Sequence, residues 1–95
     1  MSRVTKQELQ AIVDRINEVA GTPKDPWTSV NGGCKANIRC YHLDGAYGGW
    51  KLEQVLTDGG GVRSVTPGYV SKRELADLMR AFLDGMMEAK NPRTV

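Results

Sequence analysis

Four residues carry side chains able to ligate a metal or run nucleophilic chemistry at close spacing: Cys34, Cys40, His42 and Asp44. His42 is the only histidine. A Cys40–His42 nucleophile and base would need hydrogen-bond contact, yet two residues apart on one strand face they stand about 7 Å apart. All four have the same parity, but one extended strand cannot wrap four ligands around an ion, and no CxxC or HxxxH spacing is present. Extended, Cys34 and Cys40 lie about 20 Å apart, beyond disulfide reach, so free thiols are expected. Gly59-Gly60-Gly61 precedes a strand pattern, and Gly32-Gly33-Cys34-Lys35 lacks the spacing of a phosphate-binding loop. Acidic residues are scattered singly. These residues assemble no catalytic set, metal site or cofactor site, and the expectation is a protein that binds and does not catalyse.

Two sets of residues suit binding. Tyr47, Gly48, Gly49 and Trp50 place two aromatics beside two glycines, an arrangement that lets another surface come close. Trp27, inside a stretch rich in proline and glycine, is a second exposed-anchor candidate. The other set is cationic. Lys72 and Arg73 fall in the first turn of a helix, where cations oppose the macrodipole and can converge with its amides on a phosphate. Lys35 and Arg39, with Lys51 and Arg63, lie on or near strands and could extend a basic surface for nucleic acid.

The elements that must position these residues are legible in the pattern. Thr5-Lys6-Gln7-Glu8 fits a capping box, followed by Leu9, Ile12, Val13, Ile16, Val19 and Ala20 at helical spacing; Gly21 and Pro23 stop it. Residues 22–35 read as a loop or turn. Ala36–Leu43 suits a strand, Asp44-Gly45 a turn that Ala46-Tyr47-Gly48-Gly49 either extends or follows with a bulge, Gly49–Leu56 a second strand and Val62–Val65 a third. Ser71-Lys72-Arg73-Glu74 opens a second helix through Leu75, Leu78, Met79, Phe82, Leu83 and Met86. The expected architecture is α+β, in the order αβββα: a three-stranded antiparallel sheet with two helices packed on one face.

Ninety-five residues with 40% hydrophobic and 25% charged content suit one globular domain, ordered from about 5 to 89 with a flexible tail over 90–95. The net charge is +2, and positive and negative residues are mixed along the chain, so no segment reads as a charged tail. No apolar run suits a signal peptide or a membrane span, so a cytoplasmic protein without a membrane partner is expected. A symmetric homodimer through an open sheet face is compatible with so small a sheet.

Two resemblances bear on function. Gly68-Tyr69-Val70-Ser71-Lys72-Arg73-Glu74-Leu75-Ala76 resembles the glycine turn and Ser-Lys-Lys helix start of double-stranded RNA-binding domains, which share the αβββα order. It matches at Ser71, Lys72 and Arg73 and departs at Leu75 and Ala76; it implies phosphate contacts from Lys72 and Arg73. Over roughly residues 5–89 the chain is similar to small uncharacterised proteins of bacteriophages and prophages. Tyr41-His42-Leu43-Asp44-Gly45-Ala46-Tyr47-Gly48-Gly49-Trp50-Lys51-Leu52, Gly59-Gly60-Gly61-Val62 and Ser71-Lys72-Arg73-Glu74-Leu75 carry that similarity. It implies an accessory protein that binds a host protein or ribonucleoprotein complex, for example as an anti-defence inhibitor such as an anti-CRISPR.

Overall fold

The computed structural model describes residues 3–90. The first helix, α1 (Lys6–Ala20), starts where Thr5 Oγ1 accepts the Glu8 amide at 3.1 Å and ends at Gly21, whose φ of 72° is the left-handed conformation that glycine adopts without strain. Five strands follow: β1 (Trp27–Val30), β2 (Gly33–Ala36), β3 (Tyr41–Ala46), β4 (Gly49–Val55) and β5 (Val62–Ser64). The second helix, α2 (Lys72–Lys90), is capped by Ser71, whose hydroxyl accepts the Glu74 amide at 3.1 Å. Lys90, placed in a flexible tail from the sequence, is the last residue of α2, and the rest of that tail, 91–95, lies outside the described residues.

The protein is α+β. β3, β4 and β5 form the expected antiparallel sheet in that order, with a helix before and after. β1 and β2 pair separately into a two-stranded sheet within the stretch read as a loop. The extended run expected from Ala36 to Leu43 is broken at Asn37–Cys40, because Arg39 turns to a φ of 78° and its carbonyl accepts the Gln54 side-chain amide at 3.1 Å.

Cross-strand register explains the layers. Tyr41↔Gln54, Leu43↔Leu52 and Gly45↔Trp50 put Tyr41, Leu43, Trp50 and Leu52 on one face of the sheet. Both helices cover that face: Leu9, Val13 and Ile16 of α1 and Leu75, Ala76 and Met79 of α2 bury against Tyr41 and Leu52. A smaller cluster of Ala36, Cys40 and Val55 ties the root of the β1–β2 hairpin to the end of β4. Asn37 adds polar anchors there, donating to the Asp25 carbonyl and the Thr28 hydroxyl, both at 2.8 Å.

The most deeply buried of the described polar residues sits in the main core. Asn17 is 1% exposed on the apolar face of α1. Its amide donates to the Tyr41 carbonyl at 2.9 Å while its Oδ1 accepts the Tyr41 amide at 2.8 Å and the Thr22 hydroxyl at 2.7 Å. The side chain thus treats the edge of β3 as a neighbouring strand would, which satisfies its own buried polar atoms and those of Tyr41 together.

Candidate functional site

The β3–β4 hairpin turns at Tyr47-Gly48, three residues beyond the turn signal Asp44-Gly45 and inside the stretch read as extending it. Both turn residues have positive φ, 53° and 72°, and Ala46 pairs with Gly49 across them. This is the backbone that a two-residue hairpin loop needs to match strand twist. Asp44 and Gly45 remain in β3. Gly45 is a glycine because a Cβ there would stand 2.9 Å from the Trp50 indole. On the opposite face a Cβ at Gly49 would meet Tyr69 at 3.0 Å. The close approaches that these two glycines permit are therefore made by the chain's own aromatics.

Tyr47 is 94% exposed at the tip of this hairpin, in edge contact with Tyr69 at 5.5 Å between ring centroids. Behind it lies a cavity of about 500 Å³ lined by Gly48, Trp50, Arg3, Ser71, Lys72 and Arg73. The structure thus joins members of the aromatic–glycine set and the cationic set. Gly49 is buried beneath Tyr69, and Trp50 is half-buried against the main core while it borders the cavity. Lys35, on β2, and Arg39, in the break before β3, are exposed but line no part of this cavity. Trp27 is half-exposed at the start of β1, its ring lying over Gly60, where a Cβ would come within 2.7 Å.

The sheet face turned away from the helices carries a polar cluster that the sequence reading did not assemble. Lys51 Nζ lies 3.2 Å from Glu53 Oε2, donates to Ser64 Oγ at 3.1 Å and sits 4.7 Å from the centre of the Tyr69 ring. The Tyr69 hydroxyl donates to Asp44, and His42 Nε2 is 3.9 Å from Glu53 Oε1. Strand parity was the available signal: His42, Asp44, Lys51 and Glu53 all fall on one face once the turn is placed at Tyr47-Gly48.

Two members of this cluster, Lys51 and Tyr69, hold their protons more firmly than usual. The hydrogen bond to Glu53, opposed by desolvation, leaves the Lys51 pKa above its ordinary value. The bond to Asp44 and then desolvation raise that of the Tyr69 phenol. Ser64 consequently faces an ammonium, whereas a serine nucleophile needs a neutral base beside it. Cys40 is similarly quiet: burial pushes its thiol up to about 11, and Sγ donates to the Tyr41 carbonyl at 3.4 Å. Cys34 is exposed on β2, in a different sheet from His42. Among the described residues, no three of His, Cys, Asp and Glu gather around a metal position, and no helix is long and apolar enough to cross a membrane.

The site therefore belongs to an α+β domain whose central hairpin presents an exposed aromatic beside a partly cationic cleft. Comparisons of the chain with protein-family models, curated proteins and solved structures return no match.

Proposed function

We propose that the chain acts by stoichiometric binding to a macromolecular partner, a host protein or ribonucleoprotein complex that it inhibits or modulates, with Tyr47 as the anchor. The single observation that carries this reading is the placement of Tyr47. Left-handed backbone costs a non-glycine residue about 1–2 kcal/mol, and a side chain left 94% exposed recovers little of that by burial. A tyrosine held there offers a rigid aromatic contact to another molecule. The role of a phage-type accessory protein acting against a host defence complex, such as an anti-CRISPR, is supported by the resemblance of the Tyr41–Leu52 stretch.

Tyr47→Asn separates binding from folding, because asparagine suits left-handed turn positions. The variant is expected to melt at or above the wild-type temperature by circular dichroism and to lose the complex that a tagged wild-type chain recovers from bacterial lysate. Recovery undiminished in the variant would refute Tyr47 as the anchor.

A second reading, nucleic-acid binding, has its own observation: Arg3, Lys72 and Arg73 line the cavity that borders Trp50. It predicts recovery abolished by nuclease. In direct titration, Lys72→Gln would then flatten the dependence of log affinity on log salt by about one. Affinity insensitive to salt would exclude it.

A further inference from the structure

β3 is an edge strand, and its outer edge lies in a cleft. In the order β3–β4–β5, one side of β3 has no strand neighbour. Trp50 exchanges its amide and carbonyl bonds with Val70, at 2.8 and 2.9 Å. The Leu52 amide donates to the Thr66 hydroxyl at 3.0 Å, and its carbonyl accepts from Val65 at 2.8 Å. Both β4 residues thus direct their main-chain groups away from β3. By the alternation of an antiparallel ladder, their partners Gly45 and Leu43 direct theirs outward too. Tyr41, next in the same series, has its outward pair taken by Asn17.

Leu43 and Gly45 therefore offer two amides and two carbonyls along one edge, about 7 Å apart by strand geometry. Among the described residues, His42 Nδ1 stands 3.3 Å from the Leu43 carbonyl. Leu43 and Gly45 line a cavity of about 590 Å³ together with Lys6, Gln10 and Asp14 of α1 and residues 24–26.

We infer that this edge takes up an extended peptide segment of a partner by strand addition, hydrogen-bonded to Leu43 and Gly45. Asn17 supplies the internal precedent: a primary amide, the same chemistry as a peptide group, already fills the Tyr41 position of this edge. The side chains sort the occupant's sequence. Residues opposite Leu43 and Gly45 point to the helix-covered face, beside Leu43 and a Trp50 indole that carries the Lys6 ammonium 5.5 Å from its ring centre, so apolar side chains fit. The residue opposite Asp44 points to the other face and meets a carboxylate, so lysine or arginine fits. The segment is apolar–basic–apolar. This surface is distinct from the Tyr47 anchor, and the inference does not rest on the proposal above.

A displayed library of random decapeptides, selected on the full chain, tests it. Selected peptides are expected to share an apolar–Lys/Arg–apolar triplet and to shift the amide resonances of Leu43 and Gly45 most. N-methylation of the peptide amides that face β3 is expected to weaken binding about tenfold or more, and of the alternate amides less than about twofold. A library with no binder would overturn the inference, as would peptides that shift Tyr47 and the start of α2 instead, or binding equally sensitive to both methylation sets. Concentration-dependent shifts of Leu43 and Gly45 without peptide would assign the edge to a second copy of the chain and would also overturn it. None of these outcomes decides whether Tyr47→Asn loses its partner.

Discussion

The two hairpins make opposite use of the same two-residue connection. β1–β2 turns at Asn31-Gly32, favourable turn chemistry, yet of its eight strand residues only Ala36 is buried. β3–β4 turns at Tyr47-Gly48, with an aromatic in left-handed backbone, and carries much of the core, with Leu52 and Val55 almost inaccessible. Good turn residues hold a hairpin that has little else to hold it. Burial under two helices lets the other hairpin keep a costly turn, and that tolerance leaves Tyr47 free to face outward.

The largest difference between the hairpins should appear on truncating their apolar side chains. Leu52→Ala is expected to destabilise the fold by about 2–5 kcal/mol, through lost burial and the cavity left behind, measured by urea denaturation. A cost under about 1 kcal/mol would mean that the core is not centred on β4. Asn17→Ala should cost about 1–3 kcal/mol, because it strands the Tyr41 amide and carbonyl in the interior. If the main-chain surrogate matters as argued, Asn17→Leu should be no better despite its greater apolar volume.

The thiols sharpen the contrast through pH. Cys40, at the root of the core hairpin, rises from an ordinary 9.0 to about 11. The unfolded thiol therefore ionises first, and stability is fully present below pH 9 and falls as pH climbs toward 11. Lys51 and Tyr69, both raised, act with the same sign above their ordinary 10.5 and 10.0. Denaturation midpoints should hold to pH 9 and decline from there toward pH 11, and Cys40→Ala should remove the earliest part of that decline. Alkylation at pH 8 should modify exposed Cys34 and spare Cys40 until the chain unfolds. The smallest effect belongs to the exposed hairpin: Val30→Thr should move stability by no more than about 0.5 kcal/mol.

Both helices were legible in the sequence to within a residue or two, because capping and 3.6-residue periodicity are local properties. Asn17 was missed although it stands four residues after Val13 on the same stripe; a polar residue inside an apolar period was the signal. The β1–β2 hairpin was read as a loop, since its strands bury almost nothing and show no alternation. Asn31-Gly32 marked its turn all the same. At the candidate site, exposed Tyr47 and buried Gly49 are neighbours but one in the chain, and no residue type tells their surroundings apart.

By itself the sequence determined the α+β class, the two capped amphipathic helices and the three-stranded sheet between them, since each follows from hydrogen-bond and burial patterns a few residues long. Tertiary structure alone decided that Trp50 leans over Gly45 and Tyr69 over Gly49, that Lys51, Glu53, Asp44 and Tyr69 share one face, and that the Leu43–Gly45 edge stays open beside Asn17. Each of these depends on which side of a strand another element covers. Moving the turn by three residues moves each cross-strand partner by six, so strand parity is unchanged while the pairing and the residues left at the tip differ.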